Sequence, residues 1–410
     1  MKTNCEEANY MHIASGATSA KRSRKLPEAL AVMVVAMLAA FLLAACGGDG
    51  ESSSASSPAA TTTSIASSPT GPQVTSPCPP AGSASALTGA GATFPGPLYS
   101  KWIDAFGKAC NAQINYQPIG SGGGIKQITE KTVDFGASDG IMTAEQEAAA
   151  NQAGGPILHI PMASGAVAVV LNLRGIQSGQ LKLSPDVLAD IYLKKITKWN
   201  DPRITALNAG LNLPDTDIAV VHRADGSGTT FIFTDYLSKV SPEWKAKVGS
   251  GTSVNWPGDI GGEKNAGVAA QVAQIPGAIG YVELAYAVQN KLTWAAVRNK
   301  SGKFVEPGLE ATSAAAEGVL LPDDMKVLLT DSENPNAYPI VGFTWILVYQ
   351  NQPDKAKGQT LAYYLWWSIH EGQSFTKDLL YGALSAEAVK KAEAEIRSIS
   401  HQGQPLLQAP

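Results

Sequence analysis

The chain has 410 residues, enough for two or three domains with sizeable cores, and 44% of them are hydrophobic. Its formal charge is −4, from 31 basic and 35 acidic residues. That balance argues against a nucleic-acid binder, and any anion the protein holds must be gripped by local donors because the overall field opposes it.

Lys21, Arg22, Arg24 and Lys25 precede an apolar run from Ala29 to Ala45, the layout of a secretory signal. The run ends in Leu43-Ala44-Ala45-Cys46, which resembles a bacterial lipobox. Residues 1–45 are therefore expected to be a lipoprotein signal peptide and Cys46 the lipidated first residue, a plain membrane helix being the alternative. From Gly47 to Ser85 the composition collapses to Ser, Ala, Thr, Pro and Gly. Such a segment cannot bury enough apolar surface to fold, so residues 46–85 read as a disordered tether with a coil dimension of roughly 35 Å. Beyond residue 45 the chain keeps 26 basic and 32 acidic residues, a charge of −6.

Cys78 and Cys110 then remain in an oxidising compartment. If the first strand and the following helix run antiparallel, Cys110 returns to the edge where the strand begins, close to Cys78. A disulfide fits that geometry; two free thiols are the alternative.

The folded part opens with LTGAGATF over Leu87 to Phe94, a short strand falling into glycines, with Thr93 placed as a helix N-cap and Pro95 and Pro97 at early helical positions. Leu98, Trp102, Ala105, Phe106 and Ala109 trace the helix's apolar face. Ala112, Ile114 and Tyr116 alternate as a strand does, and Gly120-Ser121-Gly122-Gly123-Gly124 breaks it before a helix at Ile125 and Ile128. Val133, Phe135 and Ala137 form a third strand, which stops at Ser138-Asp139-Gly140; Thr143 and Gln146 make a capping box after it.

The same device returns in Ile218 to Leu237, IAVVHRADGSGTTFIFTDYL. An apolar strand runs into a glycine turn that opens a helix, whose face carries Phe233, Leu237 and Val240. Ser227, Gly228 and Thr229 fall at the first turn, where free N–H groups and the positive dipole end favour an anion. Arg223 adds a planar fork of donors, and Asp225 can brace it. Asp139 would be the sole acceptor among these donors. Phosphate near neutral pH keeps a proton to give it; sulfate has only lone pairs.

LTGAGATFP, YQPIGSGGGIKQI, VDFGASD, KITKWND, RADGSGTTFIFTDYL and PGAIGYVELAYA together resemble the periplasmic phosphate-binding protein of the bacterial Pst-type ABC importer. The resemblance implies an α/β, two-lobed periplasmic-binding-protein fold of the Venus-flytrap kind, with mixed central sheets flanked by helices and the ligand in the interlobe cleft. It implies phosphate contacts from Thr93, Phe94, Ser121, Asp139, Arg223, Ser227, Gly228 and Thr229, with Asp225 supporting Arg223. The expected partners are inorganic phosphate and the membrane permease subunits of an ABC importer. No cofactor, metal, catalytic residue or nucleic acid is expected. The chain is expected to be monomeric and lipid-anchored through Cys46 in the periplasm or at the cell surface. Gly122 departs from a serine common in the family, His222 from a basic residue, and Gly262 to Gly267 is a loosened form of its glycine and asparagine loop.

Apolar β-branched runs at Ile157 to Met162 and Ala166 to Leu173 suggest a crossing near Ser164-Gly165. The expected boundaries are lobe one at 86–163, lobe two at 164–337 and a return to lobe one at 338–410. Ser184-Pro185-Asp186 starts a helix with Leu188, Ile191 and Tyr192 inward; Trp199 to Leu213 reads as turn-rich surface. Leu361, Leu365, Trp366 and Ile369 form a core-facing helix.

Other functions are weaker. Ser227 lies one glycine short of a nucleophile elbow, and no HExxH or paired carboxylate-histidine spacing supports an extracellular phosphatase. A phosphate-sensing or scaffold lipoprotein is the remaining alternative.

Overall fold

The computed structural model describes residues 76–258 and 260–407. The signal peptide, Cys46 and most of the tether lie outside them. The last part of the expected tether is ordered: Ser83 and Ala84 bond to Gln359 and the Ala356 carbonyl, and Cys78 is joined to Cys110 by a disulfide. Covalent closure holds what composition alone would leave loose.

Lobe one begins with β1 (Ala86–Gly91), α1 (Gly96–Cys110), β2 (Gln113–Pro118), α2 (Ser121–Thr129), β3 (Phe135–Ser138) and α3 (Ala144–Gly154). β1 lies between β2 and β3, parallel to both, so their carboxyl ends share one edge. Leu98, Tyr99, Trp102 and Phe106 are the buried face of α1, whereas Ala109 is exposed because the last turn runs out to meet Cys78. A side-chain carbon on Gly124 would stand 2.5 Å from Gly91 Cα, so glycine is needed for α2 to approach the end of β1.

The two apolar runs expected on either side of Ser164-Gly165 are one strand, β4 (Ile157–Leu171), which belongs to both lobes. Every residue from His159 to Leu171 is buried, and the strand stays extended through Ser164-Gly165, with one register shift against β12 between Pro161 and Ala163.

Lobe two holds β5 (Lys182–Leu183), α4 (Pro185–Tyr192), α5 (Pro202–Leu207), β6 (Ala219–Arg223), α6 (Gly228–Val240) and α7 (Pro242–Lys247). It continues through β7 (Ile260–Gly262), α8 (Lys264–Gln274), β8 (Ala278–Glu283), α9 (Leu284–Gln289) and β9 (Thr293–Trp294), ending with β10 (Ala296–Arg298), β11 (Phe304–Val305) and α10 (Leu309–Ala316). β6 is parallel to β7 and β8, and β8 runs antiparallel to the second half of β4. The stretch Trp199 to Leu213 is not simply surface: it contains α5, and Trp199 is buried with its indole donating to the Gly277 carbonyl at 2.9 Å.

β12 (Val341–Tyr349) returns to lobe one between β3 and β4, followed by α11 (Lys355–Ile369) and α12 (Ala386–Ser398). The sheet order is β2-β1-β3-β12-β4-β8-β6-β7. β12 pairs with β4 as far as Val341 and Ala166, β8 pairs with it from Val167 onward, and Val167 N–H donates to the Ile340 carbonyl at 2.8 Å. The β4 crossing and the entry into β12 therefore run side by side.

One stretch assigned to lobe two lies on lobe one. Leu321 and Met325 are buried, Trp345 of β12 donates to the Met325 carbonyl, and Lys326 pairs with Glu147 of α3 at 2.6 Å. Burial of those two apolar side chains carries the stretch onto lobe one before Thr330, whose hydroxyl bonds Asp235 and Lys239 of α6, brings the chain back to lobe two ahead of β12.

Candidate functional site

The carboxyl ends of β1 and β3 in lobe one face those of β6 and β8 in lobe two, where open α/β sheets place ligands. Thr93, Phe94, Ser121, Asp139, Arg223, Ser227 and Thr229 are each at most 3% exposed, and Gly228 is buried with them. They come from the turn before α1, the start of α2, the end of β3, the end of β6 and the start of α6. The two lobes touch here: Gly122 N–H donates to the Gly226 carbonyl at 2.9 Å, and a side-chain carbon on Gly122 would stand 3.1 Å from Gly226 Cα. Glycine in place of the family's serine therefore sits where the lobes meet.

Arg223 is 3% exposed, and its Nε and Nη2 donate in a bidentate fork to Asp225, the first at 2.7 Å. Asp225 also accepts from Lys264 N–H at 2.9 Å. Burial works to raise the Asp225 carboxyl, but the Arg223 bonds and charge outweigh it and hold the group below the usual carboxylate range. Arg223 keeps Nη1, 3.4 Å from Thr229 Oγ1, on the side away from the brace.

The hydroxyls are arranged by what they accept. Ser121 Oγ accepts from Gly228 N–H at 3.0 Å and Asp139 N–H at 3.2 Å. Ser227 Oγ caps α6 by accepting from Thr230 N–H at 3.1 Å. Thr229 Oγ1 accepts from Asn265 Nδ2 at 3.1 Å and from Arg223; Thr93 Oγ1 accepts from the same Asn265 amide at 2.9 Å. A hydroxyl whose lone pairs meet N–H donors, as at Thr229, has its own proton left to offer, whereas the Ser121 proton is directed at Asp139 Oδ2, 3.5 Å away. Gly228 differs from expectation, its N–H being directed to Ser121 because the starts of α2 and α6 meet. Thr93 is not the cap of α1: Pro95 holds that position, and the Thr93 carbonyl accepts from Gly96 N–H and, at 2.6 Å, from the Tyr286 hydroxyl.

Asp139 is the acidic group of the set. It is 1% exposed, and its Oδ1 is buried with no protein partner. Burial pushes the carboxyl from 3.8 up to about 7, against the pull of the neighbouring Thr344 hydroxyl, the Arg223 charge and Ser121. A buried oxygen with unused lone pairs, surrounded by donors, is a site for a ligand that brings its own proton.

Sequence reasoning missed Asn265, Glu283, Tyr286 and Tyr381. Asn265, fully buried at the first turn of α8, orients Thr93 and Thr229 and accepts from Glu283 N–H at 2.9 Å. Its position just after a strand and glycines was the signal available. His222 is a structural residue: its ring stacks on Trp256 with centroids 5.0 Å apart, and its nitrogens lie 2.9 and 3.1 Å from the Arg223 and Gly258 carbonyl oxygens.

A family model described as a PBP superfamily domain matches residues 52–366. The chain is 47% identical over 314 residues to a phosphate-binding protein PstS of Pasteurella multocida, covering 76% of this chain and 90% of that one. It is 46% identical over 310 residues to a PstS of Xylella fastidiosa strain 9a5c, covering 75% and 84%. A phosphate-binding protein from Stenotrophomonas maltophilia, 21% identical, matches with a TM-score of 0.59 over 76% of this chain and 94% of that one, which shows a shared fold.

Proposed function

The chain belongs to the PBP superfamily and within it to the PstS phosphate-binding proteins, and from that premise we propose that it captures inorganic phosphate between its lobes and delivers it to an ABC permease. One observation carries this reading: Asp139, a buried carboxylate with an unpartnered oxygen, stands among donors from both lobes.

In this mechanism Arg223 through its Nη1 side, the Thr93 and Phe94 turn, the first turn of α6 and the hydroxyls of Ser121, Ser227 and Thr229 take the phosphate oxygens. Asp225 keeps Arg223 aimed. Asp139 accepts the phosphate's proton, and a fully ionised sulfate would meet its lone pairs instead. A ligand touched from both lobes favours closure, which the permease would recognise. Energy for transport comes from ATP hydrolysed elsewhere, since this sequence carries no Walker motif.

The relatives are named as binding proteins, and a non-catalytic role is the consistent reading here. The signal and Cys46 support lipid anchoring outside the cytoplasmic membrane by the tether. Among the described residues no helix is long and apolar enough to cross a membrane.

Asp139→Asn tests the discriminating role. Competition dialysis with phosphate and sulfate is expected to show a narrower preference for phosphate in the variant. An unaltered ratio would remove Asp139 as the discriminator.

A further inference from the structure

Glu283 ends β8 beside the lobe crossing, opposite Val167 of β4, and is fully buried. Its Oε2 accepts from Ala285 N–H at 2.9 Å and lies 2.9 Å from the Tyr381 hydroxyl oxygen, while Oε1 is buried without a partner. The same Tyr381 oxygen lies 2.8 Å from the Phe94 carbonyl oxygen.

A phenol has one proton to give, and a carbonyl has none. Were Tyr381 to donate to an ionised Glu283, its oxygen would face the Phe94 carbonyl lone pair against lone pair at bonding distance. Both contacts are satisfied together only if Glu283 carries a proton and donates to Tyr381, which donates onward to Phe94. Resting on the phosphate-binding reading, we propose that Glu283 is a positioning residue held as the neutral acid, whose proton acts through Tyr381 to fix the Thr93 and Phe94 turn in its anion-facing conformation.

The electrostatics agree with the proton count. Burial raises Glu283 to about 8, against the Ala285 amide, the Tyr381 hydroxyl and the Tyr286 amide, with Asp139 adding to the rise. The titratable and charged groups around it are Tyr381 of the segment before α12, Tyr286 of α9, Asp139 after β3 and, acting on Asp139 and Tyr286, Arg223 of β6. β4 faces it with apolar Val167. Ionisation at alkaline pH turns Tyr381 toward the carboxylate and leaves the Phe94 carbonyl without its donor, so the turn loosens.

The test is phosphate titration of the full chain, of Glu283→Gln and of Tyr381→Phe across pH 6.5 to 9.5. Wild-type affinity is expected to fall above about pH 8. Tyr381→Phe should bind roughly five- to tenfold more weakly at pH 7, the equivalent of one lost hydrogen bond. Glu283→Gln keeps a neutral donor toward Tyr381 while giving up the bond that Oε2 accepts from Ala285 N–H, so it should bind no more weakly than Tyr381→Phe at pH 7 and should lose the alkaline fall. An alkaline fall that persists in Glu283→Gln overturns the proposal. So does unchanged binding by Tyr381→Phe at pH 7, which would leave only charge repulsion from Glu283. A wild-type chain that binds no phosphate at any pH contradicts the phosphate reading on which the proposal rests, and is distinguished from both.

Discussion

Arg223 shows how single residues divide the work in this site. Its fork has one edge bound by Asp225 and keeps Nη1 for the side facing Thr229, so charge and direction are fixed before a ligand arrives. Arg223→Ala should weaken phosphate binding by about 2 to 5 kcal/mol, the range for truncating one member of a buried charged pair. Unchanged affinity by titration would take Arg223 out of the site. The eight proposed contact residues and Asp225 were legible because each sits in a glycine-broken strand end or a helix start, which sequence order reveals. Asn265, Glu283 and Tyr381 were not legible as partners: their roles depend on which buried polar atoms meet across the lobes. Tyr381 lies 287 residues from Phe94, the residue whose carbonyl it bonds, and no spacing rule connects them.

At the scale of elements, β4 explains most of what the sequence left open. Its burial is continuous although its apolar pattern is interrupted at Ser164-Gly165, so the sequence pattern could not tell one strand shared by two lobes from two strands separated there. Only the partners divide it, β12 before Val167 and β8 after. Two adjacent crossing strands make a narrow hinge, consistent with closure about that line. The disulfide acts on a different element pair, tying the segment before β1 to the end of α1. Reducing it should lower unfolding stability by at most about 4 kcal/mol on the chain-entropy model. Phosphate affinity should stay the same, because Cys78 and Cys110 belong to none of the turns around Asp139. A large loss of affinity on reduction would show that the N-terminal staple positions the site.

For the molecule as a whole, buried acids set a pH dependence of stability. Burial raises Asp139 from 3.8 to about 7, Glu283 from 4.5 to about 8 and Glu395 from 4.5 to about 7. Each contributes stability that is fully present below its unfolded value and lost as pH rises to the folded one. His159 runs the other way: burial and Lys326 lower it from 6.5 to about 3, so its penalty develops as pH falls below 6.5. Between about pH 6.5 and 8.5 the carboxyls outweigh the small remainder of the His159 penalty, and the ligand-free chain should lose stability as pH rises. Asp139 and Glu283 together account for at most about 2 to 3 kcal/mol of that loss. Urea unfolding at the two pH values measures it, and rising stability would contradict the burial of these acids. The two-lobed class was legible from the order of motifs and the family they resemble, whereas the return of Leu321 to Lys326 onto lobe one depends on tertiary burial that composition does not encode.

The most direct test of the central claim is calorimetric titration of the folded chain, freed of ligand by unfolding and refolding, first with sulfate and then with phosphate. Sulfate should give no heat and phosphate should bind one to one. Equal binding of both anions, or no heat with phosphate, would contradict it.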